Sequence, residues 1–331
     1  MLKGYAEKIR LQRWVAWVGM ALLLIKFIAF FITQSNAILT DAMESIVNVV
    51  AGWIAFYSLI VASRPRDEDH PYGHGKMEYI SASIEGALIV AAALAILFKS
   101  GYNLLHPQQL QRLDMGIVLT ACAGLVNYFF GRYLSKKGAS THSITLVAGG
   151  KHLLSDAYSS LGLIVGLAIA WVSGLVWVDN LVALGFGVYI GYMGIRILKQ
   201  SVDGIMDKSD VQTIKELIEL LEKNRKPHWI DIHNLRVINY GSRLHLDCHV
   251  TVPWYYNVKQ GHDVIAEIDL LIQKEAQREM EFFIHTDPCL PDSCSICKVS
   301  DCPERKKTFE LTVNWNWENV TSNQKHSMKT T

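Results

Sequence analysis

The sequence predicts an α-helical polytopic membrane domain with six transmembrane helices, followed by a small α+β domain. Half of the 331 residues are hydrophobic and 19% are charged. The apolar residues gather between positions 13 and 200, in six runs each long enough to cross a bilayer. Residues 205–331 instead have the mixed composition of an ordinary soluble fold.

The six runs cover 13–33, 37–62, 80–104, 114–131, 145–173 and 176–198. A bilayer core needs about 20 apolar residues of helix, and the backbone of each span must satisfy itself within the segment. Lys3, Lys8, Arg10 and Arg13 precede the first run. That run is too long for a signal peptide and lacks a small-x-small cleavage site, so it reads as a first span with a cytosolic start. The loop 63–79 carries Arg64, Arg66 and Lys76, the loop 132–144 carries Arg132, Lys136 and Lys137, and Lys199 and Lys208 follow the last run. The turns at 33–39 and 173–176 carry neither Lys nor Arg, while Arg112 in 105–113 weakens the contrast. Positive charge thus alternates with the spans and places both termini in the cytosol. Small residues such as Gly86, Gly162 and Gly166 are expected to let helices approach closely.

After the last run the pattern changes. Residues 211–225 and 258–279 have apolar positions at helical spacing, whereas 233–239, 243–252 and 280–285 alternate like strands, with Gly241 and Ser242 as a hairpin turn. The order α-β-β-α-β suits an open sheet with helices on one face. The stretch 308–320 is expected as an added strand. The expected divisions are a six-helix membrane domain at 1–208, a small α+β domain at 209–288, and a Cys-rich extension at 289–331 whose last residues are disordered.

Ionisable residues at membrane depth need a partner or a function. The second run contains Asp41, Glu44 and Asn48, and the fifth contains His152 and Asp156. Glu44 and Asn48 are four apart, as are His152 and Asp156, so each pair projects from one helical face. Facing each other, the pairs supply two carboxylates, an amide and an imidazole, which suits a four-coordinate divalent ion; the same residues could instead bond the helices together. Lys26 and Glu85 are ionisable with no partner evident in the sequence. In the loop, Asp67, His70 and His74 have a spacing that can converge on a metal, with Gly73 and Gly75 permitting a tight turn, though a solvated loop has the same composition.

The spacing Cys289-x4-Cys294-x2-Cys297-x4-Cys302 offers four thiolates on a tail placed in the cytosol. A zinc knuckle is the first reading; an iron–sulfur cluster, free thiols and a pair of disulfides are the others. A formal net charge of +1 and the lack of a basic aromatic patch give no sign of nucleic acid, and no GxxxxGK[ST] string points to a nucleotide.

The strings SNAILTDAMESIVNVVAG, HPYGHGKMEYISA, KHLLSDAYSSLG, IMDKS and IHTDPC, spread over residues 35–289, together resemble the cation diffusion facilitator family of metal–proton antiporters. The resemblance implies a six-helix membrane domain, a ferredoxin-like cytosolic domain and a homodimer in a lipid bilayer, the cell's inner or plasma membrane being first choice. It implies a transport site from Glu44, Asn48, His152 and Asp156, with Asp41 as a helper, and loop ligands Asp67, His70 and His74. His233, His249, His262, His285 and Asp287 fall where relatives bind regulatory zinc, and Lys76 and Asp207 match a dimer-holding ion pair. Asn48 stands where family members commonly have Asp, and Glu44 where they have Asp or His, so charge and selectivity should differ. Zinc, transported and also regulatory or structural, is the first choice of metal, with iron(II), manganese, cobalt and cadmium open. Efflux of the ion from the cytosol against protons, by alternating access, is the expected activity rather than enzymatic turnover. An intramembrane metalloenzyme lacks an HExxH string, and a membrane-anchored metal sensor would not need six spans with polar interiors.

Overall fold

A computed structural model describes residues 3–33, 36–105, 114–173, 177–241, 243–275 and 280–326, without the side chains of 29–30, 32–33, 36–44, 114–117, 119–120, 163, 166–173, 178–179 and 243. The chain forms two compact units, Met1–Met206 and Asp207–Thr331.

The first unit holds six long helices: α1 (Lys3–Thr33), α2 (Asn36–Ala62), α3 (Met77–Leu105), α4 (Asp114–Ser140), α5 (Ile144–Ser173) and α6 (Trp177–Ile205). The shortest have 27 residues, about 40 Å of helix against a hydrocarbon core of about 30 Å. Several outrun their apolar windows because charged residues continue the helix past the hydrocarbon. α1 begins at Lys3 rather than at 13, and α4 runs on through Arg132 and Lys136. Among the described residues, Gly4–Ile28, Ser45–Ala62, Met77–Leu105 and Asn180–Ile205 are long and apolar enough to span a membrane. The described parts of α4 and α5 are more polar, α5 carrying Lys151, His152 and Asp156. Leu94, Phe98, Phe129 and Val188 are exposed on the bundle, as lipid-facing side chains are.

The main helix pairs are α3 with α6, α4 with α5, and α1 with α2. Glycines set the closeness of the first two. A Cβ on Gly150 would stand 2.5 Å from the backbone nitrogen of Ser135, and one on Gly131 would stand 2.8 Å from the Gly150 carbonyl oxygen. Between α3 and α6, a Cβ on Gly86 would stand 2.9 Å from the Leu198 nitrogen. Gly162 meets the Phe186 ring in the same way, as the sequence leads one to expect, and Gly166 lies outside the described side chains. Backbone contact of this kind drives helix association where lipid offers no hydrophobic advantage.

The second unit contains α7 (Val211–Lys223), β1 (Asp231–Tyr240), β2 (Arg243–Val252), α8 (Val258–Glu275), β3 (Met280–Pro288), a 3-10 turn at Pro291–Ser295 and the one-turn α9 (Trp317–Val320). The Asp210 side chain caps α7 by accepting from the Thr213 amide at 3.1 Å. β1 and β2 pair antiparallel across Gly241, whose φ of +63° favours glycine. β3 lies parallel to β2, which requires the crossover that α8 supplies. Leu244, Leu246, Cys248, Val250 and Val252 of β2 enter a core shared with apolar residues of α7 and α8. By period-two alternation, His245, Asp247, His249 and Thr251 lie on the opposite face of the sheet.

The expected strand at 308–320 does not form. Its alternation is satisfied by packing: Val313 and Trp315 are buried, while the Val313 carbonyl accepts from the Arg225 guanidinium at 2.6 Å. The same guanidinium stacks over the Trp315 ring at 3.9 Å and also donates to the Ile230 carbonyl. The Cys-rich extension is continuous with the sheet domain. Cys289 donates its amide to Val252, and the Ser322 carbonyl accepts from Asn234 at 2.7 Å. Residues 327–331, expected as a disordered end, lie outside the described residues.

Replacing Gly150 with Val should force α4 and α5 apart and cost about 1–3 kcal/mol or more, seen as a lowered midpoint of thermal unfolding in detergent. Gly101→Ala, where a Cβ meets nothing within 4 Å, should be neutral or slightly stabilising.

Candidate metal sites

Asn48 of α2 reaches across to α5. Its amide nitrogen donates to Asp156 Oδ2 at 2.7 Å, and its Oδ1 lies 3.0 Å from His152 Nε2. The carboxylate can only accept, so the amide must turn its NH2 toward Asp156 and its oxygen toward the imidazole. In that arrangement His152 Nε2 carries a proton and donates it to Asn48. His152 is buried, and one amide closes the gap between two groups a turn apart. Glu44 and Asp41 lie outside the described side chains.

Several other polar groups in the bundle are paired, and Glu85 is an exception. Lys26, partnerless in the sequence reading, donates to Ser45 Oγ at 2.7 Å. Lys8 and Glu78 form a buried ion pair at 3.4 Å, with Ser143 also donating to Glu78. Glu85 is buried and its Oε2 has no hydrogen-bond partner; both carboxyl oxygens stand 3.5 Å from where a Cβ on Gly149 would be.

The loop residues do converge. Asp67, His70 and His74 each offer a ligand atom within 4.8 Å of the others. The amide of His70 donates to Asp67 Oδ1 at 2.7 Å, its ring Nδ1 lies 2.9 Å from the same oxygen, and His74 Nε2 lies 3.3 Å from Oδ2. Desolvation opposes ionisation of Asp67, but the ring and amide of His70 overrule it and hold its carboxyl below the ordinary range. Gly73 takes φ +85°, the turn that lets His74 face back toward Asp67, whereas Gly75 has no positive φ.

On the sheet, His233 pairs in register with His249, and His249 with His285, so three imidazoles form a row across three strands. Their ring centroids are 5.1 Å and 4.8 Å apart. Asp287 is the hub: Oδ2 lies 3.2 Å from His233 Nε2 and 3.3 Å from His249 Nδ1, and Oδ1 lies 3.1 Å from His285 Nδ1. His233, His249 and Asp287 present ligand atoms within 4.8 Å of one another. His262 is exposed on α8 and is not part of this group.

Three residues at this site were not singled out in the sequence. Asp231 Oδ2 lies 3.3 Å from His233 Nδ1, the arrangement by which a carboxylate orients a ligating imidazole. His326 also bonds Asp231 through both its ring and its amide. Lys325 Nζ lies 3.4 Å from Asp287 Oδ2 and donates to the Pro288 carbonyl. Asp231 was findable, because spacing of two in a strand shares a face with His233. Lys325 and His326 were not, since they arrive from an irregular segment far along the chain. Burial pushes the Asp231 carboxyl up, but His233 and His326 outweigh it and hold it far below the usual carboxylate range. Asp287 is likewise held low, as Lys325 and His249 prevail over burial.

Cys289, Cys294, Cys297 and Cys302 are free thiols at the edge of the sheet domain. Lys76 belongs to the helical unit and Asp207 to the second.

An imidazole, an amide and a carboxylate are thus held together in the interior of a six-helix bundle, where polar side chains of metal-ligating type need a partner or a function. Residues 14–206 match the cation efflux transmembrane domain and residues 207–289 the cation efflux protein cytoplasmic domain; the chain belongs to the cation efflux, or cation diffusion facilitator, family. An uncharacterised transporter of Synechocystis is 34% identical over 75% of this chain and 80% of its own length. The cation-efflux pump FieF of Shewanella oneidensis is 26% identical over 82% and 90%. The manganese efflux system protein MneS of Bacillus subtilis is 27% identical over 80% and 90%.

The depressed carboxyls make the second unit sensitive to acid. A group whose folded pKa lies below its unfolded value contributes stability that is full above the unfolded value, about 3.9 for Asp, and is lost as pH falls through the folded one. Calorimetric unfolding of the protein should therefore show a midpoint falling steeply below about pH 4, and Asp231→Asn should flatten that fall while lowering the midpoint at neutral pH.

Proposed function

We propose that this protein exports a divalent transition metal ion, zinc before iron(II), manganese, cobalt or cadmium, from the cytosol in exchange for protons. It works as a homodimer in the cell's inner or plasma membrane with both termini cytosolic. The observation that carries this reading is the Asn48 amide bridging His152 and Asp156 inside the bundle.

The bridge is the proton-loaded form of a metal site. In the proton-loaded state His152 is an imidazolium; to bind an ion it must lose the Nε2 proton while keeping the one on Nδ1, and Asp156 must exchange the amide N–H for the cation. Rotation of the Asn48 amide then turns its oxygen to the metal. Glu44 supplies a second carboxylate from α2, with Asp41 as helper, giving four donors and two negative charges for a 2+ ion. Metal and proton compete for the same lone pairs, so an ion released on the far side is replaced by protons, and the reprotonated bridge re-forms for the return. Alternating access follows if the helices carrying the site open to one side at a time. A neutral amide where relatives have a carboxylate makes the site less negative and favours ions that tolerate a mixed O/N set. That one relative is named a manganese efflux protein fits a selectivity wider than zinc.

His233, His249 and Asp287 fit a resident regulatory zinc, with Asp231 orienting His233; when bound, the ion supplies positive charge that offsets crowded carboxylates. His285 and His262 extend the donor set toward a second ion or a second copy. Asp67, His70 and His74 serve as a loop metal site, and Lys76 with Asp207 as the ion pair that steadies the dimer.

Vesicles reconstituted with the protein, loaded with a metal-sensitive dye and a pH indicator, test the reading. Wild type should move zinc with an opposing proton flux, and Asp156→Ala should fall to the background of empty vesicles while eluting as a folded dimer. His249→Ala should retain flux at saturating metal but need about tenfold more to activate. Undiminished flux in Asp156→Ala would remove the bridge from the pathway.

A further inference from the structure

The matched cytoplasmic domain ends at residue 289, and the chain continues for a further segment that nothing in the transport reading uses. From Leu290 to Asn316 the regular structure is a single 3-10 turn. Its own apolar cluster is small, Ile230, Ile296, Cys297 and Val313 with Cys289, Val299 and Leu311 against them, and Trp315 joins it to the main core. A segment so poor in core needs a staple, and such staples are disulfides or metals. The cysteines here are free thiols, so the staple is not a disulfide.

Backbone amides point at two of the sulfurs, Trp254 N at 3.4 Å from Cys289 Sγ and Lys306 N at 3.5 Å from Cys294 Sγ. Burial pushes the Cys289 and Cys297 thiols up, so it is a bound cation that would bring them to thiolate, and an amide aimed at sulfur bonds the thiolate more strongly than the thiol. The Tyr255 hydroxyl bonds to Cys302. Arg305 then fixes the loop that carries the Cys294-x2-Cys297 pair, donating to the carbonyls of Cys294 at 3.1 Å, Cys297 at 3.0 Å and Val299 at 2.5 Å. Four thiolates around a 2+ ion leave two negative charges, and the run Arg305, Lys306, Lys307 stands beside them. Among the described residues the four sulfurs do not lie within the 4.8 Å of one another that the two histidine groups show.

We propose that Cys289, Cys294, Cys297 and Cys302 form a closed tetrathiolate zinc site that fastens the C-terminal segment to the sheet. Zinc is the metal because it takes four thiolates tetrahedrally and needs no redox chemistry or inorganic sulfide. The site has a consequence at both ends of the segment. Cys289 continues β3 by the hydrogen bond its amide donates to the Val252 carbonyl, and the far end returns Lys325 and His326 to Asp287 and Asp231. Zinc in the thiolates therefore holds the strap that sets two side chains on the histidine row.

The full-length protein in detergent, carrying Asp156→Ala, His249→Ala and His74→Ala to weaken the other sites, is washed with a mild chelator and its metal content measured. One zinc per chain should remain, and adding Cys297→Ser should remove it. Replacement of that zinc by cobalt should give thiolate-to-cobalt charge transfer and the strong visible bands of a tetrahedral ion. In the unmutated protein four thiols should be protected from a thiol reagent until a strong chelator is added, a readout that survives if Cys297→Ser does not fold. No retained metal, thiols that react at once without chelator, iron with acid-labile sulfide, or disulfides by mass would each overturn the proposal. Because the count is made on a transport-dead background, it stands or falls apart from the transport reading.

Discussion

A polar group placed where lipid excludes water must find its partner inside the protein, and that requirement organises the helical unit. Lys26 bonds Ser45 across α1 and α2, Lys8 meets Glu78 across α1 and α3, and Ser81 donates to Thr145 across α3 and α5. The Asn48 bridge is one more instance of the same rule, and it is the instance built from ligand atoms. The contact that holds α2 to α5 is thus made by the same side chains proposed above to exchange protons for metal. The glycines at Gly86, Gly131 and Gly150 do the reverse work, letting backbones touch where no polar bond is made, so that stiffness and opening are assigned to different helix pairs.

The second unit divides its labour between two faces of one sheet. The strand residues toward α7 and α8 are aliphatic and supply the core. Those on the other face are His, Asp and Thr, too polar to bury against a helix and too regularly spaced to be surface filling. Arg225 links this plan to the C-terminal segment. It is largely buried, its charge is met by Glu222 and by two carbonyls, and it stacks on Trp315, so the end of α7 and the returning chain are held together by one side chain.

Much of this was legible in the residues. The long apolar runs gave the helices because nothing else closes a backbone in lipid, and they were short only where charged ends such as Lys3–Arg13 and Arg132–Lys137 continue the helix. The i,i+4 pair His152 and Asp156 was readable from helical geometry alone, as was the loop triad. The strand at 308–320 misled because alternation reports which side chains are buried, not whether a neighbouring strand exists to take the hydrogen bonds. Lys26 looked partnerless because Ser45, a residue without charge, satisfies it. The approach of Lys325 and His326 to the sheet site could not be read, because no periodicity links an irregular tail to the strands it crosses.

The histidine row contains one more implication. His233, His249 and His285 come from three strands and stand side by side because β1–β2 and β2–β3 are both in the native register. A slip of one residue in either pairing would send one imidazole to the aliphatic face. An ion that requires His233, His249 and Asp287 together can bind only the correct alignment, so it selects against misfolded sheets by mass action. A metal ion held there would thus also serve as proofreader of the sheet's register.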